Sequence, residues 1–239
     1  MDLRERTLEL AQEYRKNQAP LTPERLVGGI GANLTYTRLP DGQDGAFDFE
    51  THTILIAEGQ TPKRQRFTLA HEVMHYLIHE DDDLLSELHE TYEGDELEAR
   101  LEALCNLGAA EMLLPREAVE AGIAKRGQSP KLIPELAALH QVSEEVAIIA
   151  LAERGPSPSI VLMAGGKPVK VFFSAKSERI FDRVRRNVAV PKDHPLTLAL
   201  ETALPYKGKA PLPGNGTLYA LDAFPKGGRV YAVFKELLN

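Results

Sequence analysis

The feature that most constrains this chain is a pair of histidines four residues apart, His71 and His75, with Glu72 next to the first. The surrounding segment 63–79 has apolar residues at helical spacing, which predicts a helix. Residues four apart lie on one face of a helix, about one turn apart, so both imidazoles can reach one ion. Glu72 is placed to accept a proton from water at an open coordination position. The pattern predicts a zinc site, because zinc binds imidazole nitrogen at about 2.0–2.1 Å.

A third ligand is expected on a second helix, predicted over 97–114, because catalytic zinc usually has three protein ligands. Glu102 is preferred, since the apolar and small residues around it indicate a buried turn. Glu111 is the competitor, but it lies nine residues further, about 13.5 Å along the axis. Only one of the two can therefore reach the ion. The small residues 108–110 should let the two helices approach closely.

Four more residues near these helices are candidates for supporting roles. Asn106, one turn after Glu102, could hydrogen-bond a ligating histidine, or equally a neighbouring loop. Tyr76 and His79 could donate hydrogen bonds to the site, although His79 is equally well explained as an exposed histidine at a helix end. Cys105 could bind zinc as a thiolate. A cysteine in this setting is more often a small buried apolar residue.

Cysteine usage and hydropathy indicate the cellular compartment of the protein. Cys105 is the only cysteine, so no intramolecular disulfide can form, which fits a reducing compartment. The N-terminal residues 1–6 are charged and predict the start of a helix rather than a signal peptide. No run approaches the roughly 18 apolar residues that a membrane span needs. We expect a cytoplasmic protein without a membrane partner.

Short strands are predicted before the helix at 63–79, and an acidic loop is predicted after it. Alternating residues predict a small antiparallel sheet before it, with a turn at 40–42 and strands at 35–38, 46–49 and 52–57. The segment 81–96 is acidic and mostly polar, and we expect a loop or a mobile hairpin there. Further helices are predicted over 116–125, 131–139 and 143–154.

The stretch 155–159, Gly-Pro-Ser-Pro-Ser, is predicted to be a linker. The chain beyond it is expected to be a small α+β domain with a helix over 178–186 and strands at 160–164, 169–173, 217–221 and 229–234. Residues 160–239 carry 13 Lys and Arg against 6 Asp and Glu, whereas the preceding residues carry 15 against 29. This split indicates either two modules with different surfaces or complementary faces within one molecule.

Residues 136–147 can be interpreted as a helix–turn–helix, with Ser143 capping the second helix. A helix-turn-helix protein that binds DNA normally presents Arg or Lys at the start of its second helix, but here Glu144 and Glu145 occupy that position. Direct binding of duplex DNA by this helix is therefore not expected, and a structural helix pair or a protein-docking surface is preferred. The better candidate for an anionic partner is the basic cluster of Arg179, Arg183, Arg185 and Arg186. It could bind a nucleic acid or a small anion, or pair with the acidic front of the chain.

Segments 64–75 and 102–115 together resemble the ImmA/IrrE family of metallopeptidases. The chain departs from the family pattern at Val73-Met74, where Leu-Gly is common, and at the end of the second segment, which reads Met-Leu-Leu-Pro. Neither difference touches a ligand. The resemblance implies an α+β chain in three parts. These are a zincin-like peptidase module with the HExxH helix (1–125), a helix-turn-helix-like segment (126–156) and a GAF-like sensor domain (157–239).

The resemblance also implies an activity. Members of the family cleave a helix-turn-helix transcriptional repressor, and in the IrrE branch this releases genes of the radiation and DNA-damage response. By position, His71, His75 and Glu102 would bind Zn²⁺, or another divalent metal such as Mn²⁺, and Glu72 would be the general base. The GAF-like domain could hold an unknown small-molecule or anionic ligand.

Two other functions remain open from the residues alone. One is a non-catalytic transcriptional regulator or DNA-binding sensor with a structural metal, which a closed four-ligand site including Cys105 would favour. The other is a general degradative protease, against which the chain lacks a secretion signal.

Overall fold

The computed structural model describes residues 2–40 and 42–237, which form two compact units. The first unit ends at Pro115 and the second begins at Arg116. The helices expected for the middle segment therefore belong to the second unit. The division into 1–125, 126–156 and 157–239 stays a prediction. No helix in the described ranges combines the length and apolar character needed to cross a bilayer.

The first unit combines helices with a small sheet. Its elements are α1 (Leu3–Gln18), α2 (Pro23–Gly28), β1 (Asn33–Thr37), β2 (Gly45–Asp48), β3 (Thr53–Ala57), α3 (Pro62–His79), α4 (Asp82–Thr91) and α5 (Gly94–Leu113). Helix α3 begins where the sequence predicts, because the Thr61 hydroxyl accepts a hydrogen bond from the Arg64 N–H and Pro62 occupies the first turn.

The small sheet is mixed, so the prediction of an antiparallel sheet is wrong. Its strand order is β1-β3-β2, with β1 parallel and β2 antiparallel to β3. Strand β3 takes the centre because it carries Ile54 and Ile56, both fully buried. Strand β2 is therefore an edge strand. The turn predicted at 40–42 includes Asp41, which lies outside the described residues.

Helix α4 replaces the loop expected over 81–96. Asp81 caps the helix by accepting a hydrogen bond from the Leu84 N–H, and the acidic residues of the first turn are favoured by the helix dipole. Leu84 and Leu88, four residues apart, are fully buried. The acidity that suggested a loop therefore belongs to a helix start and to the solvent-exposed face.

The close approach of α3 and α5 depends on Gly108, as the small residues at 108–110 predict. A Cβ atom at Gly108 would lie 2.4 Å from Cε of Met74, which is fully buried on α3. A side chain at this position would have to displace the side chain of Met74. The contact of α3 and α5 places the N-terminal half of α5 beside the histidines of α3.

The second unit contains four helices and a five-stranded antiparallel sheet within the described residues. The elements are α6 (Arg116–Arg126), α7 (Leu132–Leu139), α8 (Glu144–Arg154), β4 (Ser159–Gly165), β5 (Lys170–Lys176), α9 (Pro195–Thr202), β6 (Tyr206–Pro211), β7 (Leu218–Lys226) and β8 (Arg229–Lys235). The sheet order is β5-β4-β8-β7-β6. Helix α9 and strand β6 were not predicted. The N-cap of α9 is His194. Its Nδ1 accepts a hydrogen bond from the Leu196 N–H, and its Nε2 hydrogen-bonds the Pro211 carbonyl at 2.8 Å.

The predicted pair α7 and α8 is present, and Ser143 caps α8 by accepting from the Val146 N–H. The start of α8 is engaged with the sheet. The Glu144 carboxylate accepts a 2.6 Å hydrogen bond from the Tyr231 hydroxyl and pairs with Arg229. The first turn of α8 is therefore linked to strand β8 through the side chain of Glu144.

The helix expected over 178–186 is absent from the described structure, where this segment is an irregular loop. Ile180 and Val184, which are four residues apart, are both buried, as they would also be on the inner face of a helix. A helix would also place Arg179 and Arg183 one turn apart on one face, where like charges repel. The loop conformation is stabilised instead by Asp182, whose carboxylate accepts hydrogen bonds from Tyr219 and Asn215.

Candidate metal centre

Helices α3 and α5 bring three ligand-type side chains together. Nε2 of His71 lies 3.1 Å from Nε2 of His75. The Glu102 carboxylate reaches both rings, with Oε2 3.3 Å from His71 Nε2 and Oε1 3.1 Å from His75 Nε2. Among the described His, Cys, Asp and Glu side chains, these three form the group able to hold a metal ion.

The geometry of this group fits a tetrahedral divalent ion. Ligand bonds of about 2.0–2.1 Å place tetrahedral ligands about 3.3 Å apart, close to the observed separations of 3.1–3.3 Å. Burial lowers the pKa of both His71 and His75, which favours the neutral rings that bind metals. Two imidazoles and one carboxylate are also a donor set typical of zinc.

Glu102 lies at the site, but the argument from burial that selected it is wrong. Its side chain is 50% exposed, whereas Glu111 is 1% exposed. Glu111 faces α1, where it accepts a 3.1 Å hydrogen bond from the amide of Gln12. The distance argument holds: two carboxylates nine residues apart on one helix do not serve the same ion.

Glu72 lines the same cavity as the three candidate ligands and is 6% exposed. Burial raises the pKa of its carboxyl group to about 7, and the negative charge of Glu102 acts in the same direction. The side chain lines the same cavity as His71, His75 and Glu102. A carboxylate in this position can exchange a proton with a molecule bound in the cavity.

The three predicted supporting residues have different surroundings. The Asn106 side chain lines the same cavity as His71 and is near enough to influence the pKa of that ring. Tyr76 packs against Phe47, with ring centroids 5.4 Å apart, and His79 packs edge-on against Phe49 at 4.7 Å. Neither Tyr76 nor His79 is among the described residues that line the cavity. The supporting roles of Asn106, Tyr76 and His79 stay predictions.

Cys105 is fully buried, and burial raises the pKa of its thiol far above the usual range. It does not belong to the ligand group found among the described residues. The structure therefore agrees with the interpretation of Cys105 as a small apolar core residue. A fourth protein ligand, which a closed structural site needs, is missing from the described part of the chain.

The cavity at this centre has a volume of about 540 Å³. The residues from Gly42 to Phe47 form one wall of it, opposite α3 and α5. Asp44 pairs with Arg64 and accepts a 2.7 Å hydrogen bond from Gln60, so the start of β2 is tied to the start of α3.

The contribution of β2 to the cavity was missed at the level of sequence. Arg64 could have been found, because it lies seven residues before His71 and so on the same helix face. Asp44 and Gly45 carry no such local signal, since the pairing of β2 with β3 brings them to the cavity.

Comparison with known proteins gives a family and close relatives. Residues 29–152 match the peptidase M78 family model, described as the IrrE N-terminal-like domain. The chain is 39% identical to the radiation response metalloprotease IrrE of Deinococcus deserti, over 96% of this chain and 87% of that protein. It is 35% identical to the protein of the same name from Deinococcus radiodurans, over 90% of this chain and 72% of that one. A Mycobacterium tuberculosis transcriptional regulator has a similar fold, with a TM-score of 0.61 and 15% identity over 99% of this chain and 77% of that one.

The chain is a metalloprotease. This class follows from the two relatives, and the site agrees with it: two histidines, a carboxylate from a second helix and a buried glutamate line one cavity. The chain belongs to the peptidase M78 family, whose domain is the IrrE N-terminal-like domain. The likeness to the mycobacterial regulator, at 15% identity, concerns the fold alone.

Proposed function

We propose that the chain is a zinc-dependent endopeptidase that cleaves a helix-turn-helix transcriptional repressor and thereby switches on a radiation or DNA-damage response. The observation that carries the catalytic part is the convergence of His71, His75 and Glu102 beside the buried Glu72 in one open cavity. The substrate and the response rest on the family resemblance and on the relatives, which are radiation response metalloproteases.

In this proposal His71, His75 and Glu102 hold Zn²⁺, and another divalent ion such as Mn²⁺ can take its place. When bound, the ion supplies Lewis-acid chemistry: it acidifies water and polarises a carbonyl oxygen. Glu72 accepts the proton of the attacking water and then delivers it to the nitrogen of the leaving amine. Asn106, which lines the same cavity, would position the ring of His71 through a hydrogen bond.

The free edge of β2 is the proposed docking site for an extended substrate segment. The Ala57 N–H donates to the Asp44 carbonyl, and Ala46 is opposite Leu55 in the register. Hydrogen-bonded pairs alternate along an antiparallel ladder, so the backbone groups of Gly45 and Phe47 point to the free edge. Both residues line the cavity. An added strand would therefore run past Glu72 with its main chain held by hydrogen bonds.

Gly45 is expected to control the position of Glu72. A Cβ atom there would lie 2.8 Å from Oε1 of Glu72 and 2.5 Å from Cγ2 of Thr68. The change Gly45→Ala should therefore displace the carboxylate and lower the cleavage rate by about 10- to 100-fold, because small misplacements of a catalytic group are costly. The zinc content should stay at the wild-type level.

The matched control for this change is Gly28→Ala, where an added Cβ meets no atom within 4 Å. It should leave both rate and zinc content unaltered. A Gly45→Ala enzyme that cleaves at the wild-type rate would show that the contact between β2 and Glu72 has no catalytic importance.

The second unit is proposed to act as a GAF-like sensor domain that holds a small-molecule or anionic ligand. Its five-stranded antiparallel sheet is compatible with this interpretation. An open cavity of about 490 Å³ is a candidate place for the ligand. Its lining includes the cations of Arg126, Lys131 and Lys207, together with Tyr206 and Asp222.

Direct binding of duplex DNA by α8 is not part of the proposal. The start of this helix carries Glu144 and Glu145, and Glu144 is engaged with Tyr231. The cytoplasmic location expected from the sequence stays a prediction.

The proposal is tested by incubating the purified, zinc-loaded protein with each helix-turn-helix repressor of its host. We expect one repressor to be cut at one position, and the cut to disappear when a chelator removes the metal. Intact repressors, or cleavage of many unrelated proteins into small fragments, would exclude a site-specific regulatory peptidase. Added Mn²⁺ in place of Zn²⁺ identifies the metals that support the cut.

A further inference from the structure

Side chains attach strand β2 to helix α3 at two points, one on each side of the candidate metal ligands. On α3 the two points are separated by residues 65–75, which include His71, Glu72 and His75. The free edge of β2 is the proposed docking site for a substrate segment. The position of this strand relative to α3 therefore decides where a docked peptide passes Glu72.

The first point, here called the polar anchor, joins the start of β2 to the start of α3. The Asp44 carboxylate pairs with Arg64 and accepts a 2.7 Å hydrogen bond from the amide of Gln60, just before α3. The same amide donates to the Asp44 carbonyl oxygen at 3.0 Å. That oxygen also accepts a 2.9 Å hydrogen bond from the Ala57 N–H. Both the side chain and the backbone of Asp44 are therefore fixed.

The second point, here called the aromatic anchor, is a group of five rings that joins the end of β2 to the end of α3. The ring of Phe47 lies 5.4 Å from that of Tyr76 and 5.4 Å from that of His52, and the last two are 5.3 Å apart. Phe49, the residue after β2, lies 4.6 Å from Phe47 and 4.7 Å from His79. All five separations are between ring centroids, and they lie in the range in which aromatic rings attract each other.

Tyr76 and His79 contact the segment of β2 without lining the cavity. Phe47 and Phe49 are both cavity residues, whereas Tyr76 and His79 do not occur in the described part of the lining. The ring of Tyr76 packs against Phe47, so its influence on a docked peptide is transmitted through the strand. A hydrogen-bond donor to the reacting carbonyl would instead have to contact the peptide itself.

Core packing alone does not explain the aromatic anchor. Phe49 is 51% exposed and His79 is exposed as well, so this pair lies at the surface. Strand β2 is four residues long and forms an edge of the sheet. A short edge strand has few ladder hydrogen bonds to keep it in place, and segments with few contacts open easily. The contacts with α3 therefore add to the fixation of β2.

On the basis of the docking site in the proposed function, we propose that Tyr76 and Asp44 are positioning residues that hold the docking edge of β2 at a fixed distance from Glu72. The polar anchor fixes the end of β2 at Gly45, where a Cβ atom would lie 2.8 Å from the Glu72 carboxylate. The aromatic anchor fixes the other end, and His79 supports it through Phe49. A peptide on the free edge is then held in one place along α3.

Tyr76→Ala should raise the KM for the repressor that the wild-type enzyme cuts by about 3- to 10-fold, because the contacts of the ring with Phe47 and His52 are lost. The kcat and the zinc content should change little, as expected when only substrate binding is weakened. Tyr76→Phe keeps the ring and should restore the KM of the wild type. If Tyr76→Phe lowers kcat, the hydroxyl acts as a donor and the positioning role is wrong.

Two further variants separate positioning from general destabilisation. Tyr36→Ala is the matched control, since Tyr36 is a 45% exposed tyrosine on β1 of the same sheet and does not occur in the described lining of the cavity. It should leave KM unaltered. His79→Ala, at an exposed position where the fold is not at risk, should raise KM in the same direction as Tyr76→Ala. Equal increases in Tyr36→Ala and Tyr76→Ala would overturn the proposal.

The polar anchor is tested by a charge swap. Asp44→Arg and Arg64→Asp each place like charges together, and each should raise KM by about 3- to 5-fold, the size expected for a partly exposed ion pair. The double variant restores a pair of opposite charges and should recover most of the loss. Additive losses in the double variant would show that the two side chains act separately, which contradicts a shared anchor.

Hydrogen–deuterium exchange of the full chain gives a measurement that does not depend on the repressor. The N–H groups of Ala46 and Asp48 point to β3 in the antiparallel ladder, so their exchange reports whether β2 stays in place. Exchange in residues 44–49 should be at least about threefold faster in Tyr76→Ala and in Asp44→Arg, and unaltered in Tyr36→Ala.

The exchange measurement also separates the anchors from the proposed function. If the wild type cuts no repressor but exchange accelerates as expected, the proposed substrate is wrong and the two anchors of β2 are confirmed. If exchange in residues 44–49 is the same in Tyr76→Ala, Asp44→Arg and the wild type, the anchors do not hold the strand and the inference is wrong, whatever the enzyme cleaves.

Discussion

Glu72→Gln should lower the cleavage rate by about 10²- to 10⁴-fold while leaving the bound metal in place. The change keeps the size and shape of a side chain that is 6% exposed. An amide, however, cannot accept the proton of the attacking water. General acid–base catalysis contributes a factor of about 10² to 10⁴ to the rate, so we expect the cleavage rate to decrease by a factor in this range. His71, His75 and Glu102 are unaltered, so the metal affinity should change little.

The measurement is the cleavage rate of the repressor that the wild-type enzyme cuts, together with the zinc content by elemental analysis. Glu111→Gln is the matched control, since it makes the same chemical change at another buried carboxylate, outside the site. It should keep both the rate and the metal. If Glu72→Gln cleaves as fast as the wild type, another group is the base and the proposed mechanism is wrong.

The second prediction separates the two carboxylates of α5. Glu102→Ala should lower the affinity for Zn²⁺ by more than 100-fold, because it removes one of three ligands, and loss of an outer-shell partner alone costs 10- to 100-fold. The apo protein should stay folded, since this side chain is 50% exposed. Glu111→Ala should have the opposite effect. It should keep zinc but lower the free energy of unfolding by about 1–3 kcal/mol, because the amide of Gln12 loses its acceptor.

Thermal unfolding with and without added Zn²⁺ measures both effects. Zinc at 100 times its dissociation constant stabilises a folded protein by about 2.7 kcal/mol, so it should raise the melting temperature of the wild type and of Glu111→Ala. The same addition should leave Glu102→Ala unshifted. A zinc-induced shift in Glu102→Ala, together with its loss in Glu111→Ala, would show that the third ligand was assigned to the wrong carboxylate.

Predictions from local patterns were successful where one element contains the whole signal. The spacing of His71 and His75 predicts two imidazoles on one helix face, and their Nε2 atoms are 3.1 Å apart. The cap at Ser143 and the close approach at Gly108 are also present. The histidine pair and the cap depend on residues within a turn or two of one helix, where geometry follows directly from sequence separation. At Gly108 the sequence supplies the small residue, and the partner helix comes from the tertiary structure.

Predictions from average character were less successful. The acidic segment 81–96 contains helix α4, because two buried leucines and a cap outweigh its polarity. The segment 178–186 has Ile180 and Val184 at helical spacing, yet the hydrogen bonds of Asp182 with Asn215 and Tyr219 hold it as a loop. In both segments a few specific contacts decide the conformation, and composition does not report them.

The amino-acid sequence by itself determined two of the proposed metal ligands and the glutamate beside them, because they are spaced along one helix. It also selected Glu102, although through a burial that the residue does not have. The tertiary structure decided which carboxylate of α5 meets the histidines, since that depends on how α3 and α5 pack across Gly108. It also decided that the edge of β2 forms a wall of the cavity. The physical reason is the same throughout: contacts between distant segments depend on packing, which no local spacing encodes.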